Sequence, residues 1–317
     1  MRALVWDGET AKVTTCADPA DERLATVRVR LAGVCATDLE ITRGYMDYRG
    51  VLGHEFVGTV ESGPDEWLGK RVVGEINIGC GACSACDEGL GRHCPNRTVV
   101  GIVNANGAFA ERVALPVENL HQVPDNVSDE EAVFAEPLAA AFEILEQITI
   151  EPAHRCLVFG DGRLGLLISQ VLSTTGAHIT AVGKHDDKLA LLSQRGIETQ
   201  KLDAFDEAPT QADIVVDATG AAAGFERAMA ATRPRGILVL KSTVATPTKV
   251  DLSPLVINEI NVVGSRCGPF GPALKALAEQ SVDVRPLIAE RFPLASADLA
   301  LKRAGEPGML KVLIDCA

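Results

Sequence analysis

Four cysteines fall within a stretch of fifteen residues and follow the spacing C-x2-C-x2-C-x7-C: Cys80, Cys83, Cys86 and Cys94. Thiolates this close in sequence can close a tetrahedral zinc site, in which each sulfur lies about 2.3 Å from the metal. A bacterial iron–sulfur run is the competing interpretation, because Pro95 follows the last cysteine, but that run ends with a gap of three residues rather than seven. Four sulfur ligands leave no open position, so the spacing predicts a structural zinc.

A second set of candidate ligands lies outside this run. Cys35 and His54 are of types that commonly bind zinc, and Glu55 or Glu136 can complete a site with them. Three protein ligands leave one position for water or substrate, where a catalytic zinc acidifies a hydroxyl group. Taken singly, a cysteine is more often a small buried residue, and a His-Glu pair is more often a solvated turn. Their occurrence together with the four-cysteine run favours a catalytic zinc site.

A glycine-rich loop follows the buried strand predicted over residues 156–159 and precedes the helix predicted over residues 164–174. It has the pattern G-x-G-x-x-G and consists of Gly160, Asp161, Gly162, Arg163, Leu164 and Gly165. In a dinucleotide site these glycines permit a tight turn, close approach of the pyrophosphate and packing of the helix on the strand. A turn that binds nothing is the alternative, and the strand–turn–helix context favours the nucleotide site, with the helix N-terminus facing the phosphates.

The end of the next predicted strand bears on the choice between NAD and NADP. An NAD site typically has an acidic residue there, which holds the ribose 2′-hydroxyl group. This chain has Gly183 at that position, followed by Lys184 and His185. The glycine leaves room and the basic residues supply positive charge for a 2′-phosphate, so NADP is favoured. Asp186 and Asp187 follow directly and keep NAD possible.

The elements that position these residues change in character along the chain. The first 125 or so residues alternate polar and apolar side chains over short runs separated by turns, which predicts a β-rich region. Ser128 is a candidate helix N-cap, and the helix is expected to continue over residues 132–148. After Pro152, buried strands alternate with helices, which predicts parallel βαβ units and a doubly wound α/β sheet.

Composition limits the class of protein. A length of 317 residues suggests two domains, at roughly 100–200 residues per domain. The net charge of −13 disfavours broad electrostatic binding of nucleic acid. No apolar run is long enough to span a membrane and no signal peptide is visible, so we expect a cytoplasmic protein with reduced cysteines and no membrane partner.

The chain resembles the zinc-containing medium-chain dehydrogenase/reductase superfamily, which includes alcohol, polyol, threonine and glucose dehydrogenases. The resemblance covers essentially the whole chain. It depends on the cysteine run and the glycine loop together with five further motifs: Gly33-Val34-Cys35-x-Thr37-Asp38, Gly53-His54-Glu55-x-x-Gly58, Gly107-Ala108-Phe109-Ala110-Glu111, Glu136-Pro137-Leu138-Ala139 and Asp217-Ala218-Thr219-Gly220.

The resemblance implies a GroES-like catalytic domain formed by residues 1–137 and 268–317, with a Rossmann domain inserted over residues 138–267. It implies two zinc ions per chain, one structural and one catalytic. The catalytic ion would be held by Cys35, His54 and Glu136, with Glu55 as an exchangeable ligand. Thr37 would relay the proton of the substrate hydroxyl group and Asp38 would orient the site. Thr219 would contact the cofactor.

The implied activity is hydride transfer between NAD(P) and an alcohol or carbonyl substrate. Glu40 replaces the histidine that many relatives carry two residues beyond Asp38, and the segment from Asp38 to His54 is short. The run from Cys35 to Ile41, with Glu40, and the glutamate at position 136 resemble the sugar and polyol branches, so we expect a polyol, a sugar or a secondary alcohol as substrate. The alternative is a cofactor-binding member without dehydrogenase activity that keeps only the structural zinc. The family also implies a homodimer or homotetramer.

Overall fold

The computed structural model of this protein describes residues 1–242 and 249–317. The chain divides into two compact units. The first unit comprises Met1–Glu136, Ala273–Ala278 and Leu287–Ala317, and the second comprises Pro137–Pro272 and Glu279–Pro286. The first unit therefore draws on both ends of the chain, with the second formed mainly by the stretch between them. The domain boundaries expected at residues 137/138 and 267/268 stay a prediction.

Residues 1–148 form mostly short strands. The strands are β1 (Arg2–Trp6), β2 (Ala11–Thr15), β3 (Ala25–Gly33), β4 (Gly50–Val51), β5 (Glu55–Ser62), β6 (Arg71–Gly74), β7 (Asn77–Ile78), β8 (Thr98–Val100), β9 (Asn104–Ala105), β10 (Arg112–Leu115) and β11 (Leu120–Gln122). The helices are α1 (Ala36–Ile41), α2 (Ser84–Asp87), α3 (Asp129–Ala132) and α4 (Ala135–Gln147).

Strands and helices alternate in the next part of the chain. The strands are β12 (Arg155–Phe159), β13 (His178–Gly183), β14 (Glu198–Lys201), β15 (Ala212–Asp217), β16 (Thr232–Leu240), β17 (Asn261–Gly264), β18 (Ile288–Pro293) and β19 (Lys311–Asp315). The helices are α5 (Arg163–Ser173), α6 (Asp186–Ser193), α7 (Leu202–Glu207), α8 (Ala222–Ala231), α9 (Ser253–Ile257), α10 (Phe270–Ala278) and α11 (Ala297–Ala304).

The helix expected over residues 132–148 is two helices in the structure. The predicted N-cap is confirmed, because the Glu131 amide donates to Ser128 Oγ at 3.3 Å while Glu131 Oε2 accepts from the Ser128 amide at 2.9 Å. α3 then ends at Ala132, and the Phe134 amide donates to the Glu131 carbonyl oxygen, three residues back. α4 starts afresh at Ala135, with Glu136 in its first turn.

The main sheet of the first unit has the strand order β11-β6-β5-β3-β19-β18, and β10 also pairs with β3. In β3 the side chains alternate between buried and more exposed positions, so that Val27, Val29 and Leu31 lie in the core. β19 comes from the C-terminal end of the chain and runs antiparallel to β3, with Leu313 opposite Gly33. This pairing brings the two chain ends into one sheet.

The second unit contains a parallel sheet with the order β14-β13-β12-β15-β16-β17. When its strands are counted from β12, this is the order 3-2-1-4-5-6 of a Rossmann fold, so the expected doubly wound α/β sheet is confirmed. β12 and β15 are runs of buried residues, as expected for strands covered on both faces. Phe159 and Phe205 pack edge-on in its core, with ring centroids 5.0 Å apart.

Candidate functional site

The four-cysteine lobe lies between β7 and β8, with α2 inside it. The sulfur of Cys83 is 3.7 Å from those of Cys86 and Cys94, and the four sulfurs, including that of Cys80, lie within 4.8 Å of one another. Tetrahedral zinc at about 2.3 Å per sulfur requires sulfur–sulfur distances of about 3.8 Å. None of the four cysteines forms a disulfide. The thiols therefore have the arrangement that a tetrahedral metal needs.

The thiols of the lobe do not have equal acidity. The amide of Cys80 donates to Cys94 Sγ at 3.4 Å, and this bond contributes most to lowering the pKa of Cys94 to about 7. The Cys86 amide has the same effect on Cys83, but burial and the neighbouring sulfurs outweigh it and raise the pKa of Cys83 to about 12. Crowded thiols cannot all ionise in the absence of a cation, so the set favours a bound metal.

A second cluster forms where β3 and β5 pair. Cys35 follows β3 directly and is the N-cap of α1, while His54 and Glu55 lie at the start of β5. The antiparallel register sets Gly33 opposite Glu55, so the ends of the two strands carry all three residues to one place. Their ligand atoms lie within 4.8 Å of one another, and His54 and Glu55 are buried.

Asp38 orients this cluster from inside α1. Its side chain is fully buried, and Oδ2 accepts a hydrogen bond from the Cys35 amide at 2.8 Å. Oδ1 accepts from the Gly53 amide at 3.2 Å and lies 3.3 Å from His54 Nδ1. One carboxylate therefore holds the backbone at Cys35 and beside His54, and it also faces Nδ1 of the His54 imidazole, which leaves Nε2 of His54 for a metal.

A buried ion pair joins Glu55 to Lys311, which lies near the C-terminal end of the chain. The ammonium group of Lys311, on β19, donates to Glu55 Oε2 and to the carbonyl oxygen of Val34 at 3.3 Å. It also lies 5.6 Å from the ring centroid of Phe134. Lys311 and Glu55 are both almost fully buried. The sequence interpretation missed Lys311, and the signal that could have found it is a lysine inside an otherwise apolar strand.

The charges and unpaired atoms of this cluster fit a divalent cation. Glu55 Oε1 and His54 Nδ1 are buried and make no hydrogen bond of acceptable geometry. Burial disfavours the charged imidazolium, yet the Asp38 carboxylate and the Cys35 thiol outweigh it and hold the pKa of His54 well above its usual range. Lys311 pairs with Glu55, whereas the Asp38 carboxylate is balanced only when His54 carries a proton, and a metal ion bound to the imidazole could take the place of that positive charge.

Three other predicted residues lie at or near this cluster. Thr37 Oγ1 is 3.7 Å from Cys35 Sγ. Glu136 lies outside the group of three close ligands. Burial, as the largest influence, raises the pKa of Glu136 to about 7, while the charge of His54 lowers this pKa and that of Glu55 raises it. Glu40 pairs with Arg43 at 2.5 Å at the partly exposed end of α1.

The glycine loop of the second unit has the form that a dinucleotide requires. Gly160 has φ +117°, and a Cβ at Gly165 would lie 1.9 Å from the Gly160 carbonyl oxygen. A Cβ at Gly162, the N-cap of α5, would meet nothing within 4 Å, and no side chain caps that helix. The turn is tight at Gly160 and Gly165 and open at Gly162, where a pyrophosphate would approach, so the loop fits a dinucleotide. Arg163 and Leu164 begin α5 and are half-buried.

The space beside Gly183, at the end of β13, differs from what the sequence predicted. Gly183 is the last residue of that strand, but the space beside it is filled, because a Cβ there would lie 2.6 Å from Asp161 Cβ and Oδ2. The Asp161 carboxylate accepts hydrogen bonds from the amides of Lys184 and His185. The room that the glycine was expected to leave for a 2′-phosphate is therefore occupied by a carboxylate.

Thr219 lies in the loop after β15, which neighbours β12 in the sheet. Its hydroxyl group donates to Asp217 Oδ1 at 2.7 Å, and its amide donates to the same oxygen at 3.0 Å. Asp217 is buried at the end of β15. The loop that carries Thr219 is thus held at the carboxyl edge of the parallel sheet, where cofactors bind in such folds.

Two protein families match the chain. Residues 21–125 match the alcohol dehydrogenase GroES-like domain, and residues 164–281 match the zinc-binding dehydrogenase family. These matches support the two expected fold types. Within the described ranges of the chain, no helix is both long enough and apolar enough to cross a membrane.

Similar proteins of known name agree with these families. The chain is 28% identical over 310 residues to a sorbitol dehydrogenase of Halalkalibacterium halodurans, covering 91% of this chain and 90% of that protein. It is 29% identical over 299 residues to an L-idonate 5-dehydrogenase of Vitis vinifera, covering 86% and 82%. A solved alcohol dehydrogenase of Thermus sp. ATN1 superposes with a TM-score of 0.88 at 28% identity and 99% coverage of both chains.

Proposed function

The chain belongs to the zinc-type medium-chain dehydrogenase/reductase superfamily, and we propose that it transfers a hydride between NAD(P) and the hydroxyl-bearing carbon of a polyol, a sugar or a related secondary alcohol. The reverse reaction reduces the corresponding carbonyl compound. Both directions use the same side chains.

One observation supports this function above the others: Cys35, His54 and Glu55 bring three ligand atoms within 4.8 Å of one another beside an oriented aspartate. A structural zinc alone needs only the four-cysteine lobe. A family member that binds a cofactor without catalysis has no need for the second cluster or for the buried pair of Glu55 and Lys311. The second cluster therefore favours the dehydrogenase over the cofactor-binding alternative.

When bound, zinc supplies a Lewis acid that makes a substrate hydroxyl group acidic, and the nicotinamide supplies the acceptor for the hydride. Cys35 and His54 would hold the metal, with Glu55 or Glu136 as the third ligand. Thr37 Oγ1 would take up the proton of the substrate hydroxyl group and pass it toward solvent. Asp38 keeps Cys35 and His54 in place through its bonds to the neighbouring amides. Lys311 holds one oxygen of Glu55 and leaves the other without a hydrogen bond.

We also propose two zinc ions per chain, with the second in the four-cysteine lobe. The sulfur–sulfur distances of 3.7 Å support this count. The proposed function does not include the preference for NADP that was predicted from Gly183, Lys184 and His185. The carboxylate of Asp161 beside Gly183 speaks against it.

The proposed substrate is hydroxyl-rich, since the relatives act, by name, on sorbitol and on L-idonate. The two-domain division at residues 137/138 and 267/268, a homo-oligomeric state and a cytoplasmic location are further proposals that follow from the family resemblance.

The test combines metal content, activity and nucleotide binding. Purified protein should contain about two zinc ions per chain and oxidise sorbitol, L-idonate or 2-butanol with NAD or NADP. Cys35→Ser should lower turnover roughly 1,000-fold or more, because a Lewis acid contributes several kcal/mol to such a step, while NADH binding persists. Cys16→Ser is the matched control and should change neither. Full activity in Cys35→Ser, or a single zinc in the wild type, would refute the catalytic assignment.

A search for the third ligand uses two further variants. Glu55→Gln and Glu136→Gln remove one carboxylate charge each. The variant that lowers the zinc content toward one per chain identifies the resident ligand. Two zinc ions per chain in both variants would leave Cys35 and His54 as the essential protein ligands and contradict a fixed glutamate ligand.

A further inference from the structure

The carboxylate of Asp161 lies where the second strand of the parallel sheet ends, although the residue belongs to the glycine loop. A Cβ at Gly183 would approach Asp161 Cβ and Oδ2 to 2.6 Å. The glycine at the end of β13 is thus required by the side chain of the neighbouring loop. The acidic group of this site comes from the first strand–helix turn rather than from the strand end.

The hydrogen bonds of Asp161 fix the direction of its carboxylate. Oδ2 accepts from the Lys184 amide at 2.6 Å and from the His185 amide at 2.7 Å, and it lies 3.0 Å from His185 Nδ1. Only 11% of the side chain is exposed. All three contacts use Oδ2, so Oδ1 keeps its capacity to accept a hydrogen bond from a ligand.

Two kinds of group that could bind a phosphate here, the Lys201 ammonium group and the backbone amides after β13, already have partners, whereas the Lys184 side chain is exposed. Lys201 Nζ donates to the Lys184 carbonyl oxygen at 2.5 Å and lies 3.2 Å from Asp186 Oδ2. The amides of Lys184 and His185, which could bind a phosphate, already bind the Asp161 carboxylate. An incoming 2′-phosphate would have to displace that carboxylate or lie beside it, with repulsion between like charges.

We propose that Asp161 is the residue that binds the adenosine ribose of the cofactor and that it selects NAD(H) over NADP(H). The proposal rests on the nucleotide dependence proposed above. Oδ1 would accept the hydrogen bond of the ribose 2′-hydroxyl group, which is the role that an acidic residue at the strand end plays in other dinucleotide sites. The charge that holds the hydroxyl group also excludes its phosphorylated form.

The ionisation of Asp161 is consistent with this role. Burial raises the pKa of the carboxyl group, but the bonds from His185 and Lys184 outweigh that effect and hold the pKa below its ordinary value. The group is therefore charged at neutral pH, where a carboxylate is needed both to accept the hydrogen bond of a hydroxyl group and to repel a phosphate.

The first experiment measures dissociation constants of NADH and NADPH by nucleotide fluorescence, without turnover. The wild type should bind NADH the more tightly. Asp161→Asn should reduce the NADH:NADPH affinity ratio by roughly 10- to 100-fold, the usual value of a hydrogen bond to a charged group. Asp187→Asn makes the same charge change at an exposed position and should leave the ratio within about twofold, as expected for a screened surface charge.

A relocation variant separates the position of the carboxylate from the integrity of the loop. Gly183→Asp alone should lose affinity for both nucleotides, because the new Cβ collides with Asp161. The double variant Gly183→Asp/Asp161→Gly returns the acid to the strand end and should recover NADH binding with its selectivity. This variant keeps the proposal testable if Asp161→Asn folds poorly.

Three results would overturn the selectivity assignment alone. They are tighter binding of NADPH by the wild type, an unchanged ratio in Asp161→Asn, and an equal change of the ratio in Asp187→Asn. Failure of the wild type to bind either nucleotide would instead overturn the proposed dehydrogenase function, and the selectivity assignment with it.

Discussion

The two candidate metal sites of the first unit are built in different ways. The four-cysteine lobe takes all its ligands from residues 80–94, and only Cys94 among them is buried. The cluster of Cys35, His54 and Glu55 takes its ligands from two paired strands and is supported by Asp38 and by Lys311, 256 residues away from Glu55. The first cluster is local and consists of thiols alone, whereas the second depends on the tertiary structure and mixes three ligand types.

The two clusters suit two different functions, one structural and one catalytic. A closed set of four thiolates binds the metal tightly and offers nothing to a substrate, so it can only stabilise the fold. An open set with carboxylates and imidazole needs other residues to hold its ligands in position, because the metal itself is not saturated by the protein. Variants in the two clusters should therefore differ in what they damage.

The largest effect is expected from the lobe. Cys94→Ser should remove one zinc and lower the free energy of unfolding by roughly 5 kcal/mol or more, since structural zinc contributes about 10–16 kcal/mol in zinc-finger peptides. Urea denaturation and zinc analysis measure both. Turnover per folded molecule should change little.

Cys35→Ser is the matched substitution in the other cluster and should show the opposite profile, with activity lost and stability nearly kept. A chelator should reproduce the two effects in sequence, removing the open-site metal first. If Cys94→Ser abolished turnover in the folded protein and Cys35→Ser unfolded it, the division of roles between the clusters would be wrong.

The next largest effect concerns the buried ion pair. Lys311→Met leaves the Glu55 carboxylate buried without its partner, so the free energy of unfolding should fall by about 3–5 kcal/mol. The double variant Lys311→Met/Glu55→Gln removes the charge as well and should recover part of the loss. Lys302→Met, at an exposed position of α11, is the control and should be close to neutral. Equal stability of Lys311→Met and the control would show that the pair contributes nothing.

The smallest effect is expected from the residue that orients the ligands. Asp38→Asn keeps the shape of the side chain but loses the charge that faces His54 and the acceptor for one of two amides. Zinc affinity of the open site and turnover should each fall roughly 10- to 100-fold, with both lobe zinc and nucleotide binding retained. Asp47→Asn, an exposed neighbour in sequence, should have no such effect. A loss of lobe zinc in Asp38→Asn would mean that the two clusters are not independent.

Much of the molecule could be predicted from its sequence. The strand expected over residues 156–159 and the helix expected over residues 164–174 agree with β12 and α5 to within one residue at each end, because periodic or continuous apolar runs between turn residues are local signals. The helix expected over residues 132–148 was wrong as a single helix, because Pro137 has no amide hydrogen for the Val133 carbonyl oxygen and is accepted only in the first turn of a helix, so α3 ends before it and α4 begins at Ala135.

The features of the candidate site can likewise be separated into those that the local sequence determines and those that depend on the tertiary structure. The spacing of Cys80, Cys83, Cys86 and Cys94, and the glycine pattern of residues 160–165, were determined by the sequence alone, because their geometry arises within a few residues. The pairing of Lys311 with Glu55 and the direction of Asp161 toward the end of β13 were decided only by the tertiary structure. Strand pairing and sheet order bring together residues far apart in the chain, and no local pattern records which polar groups will meet when the chain folds.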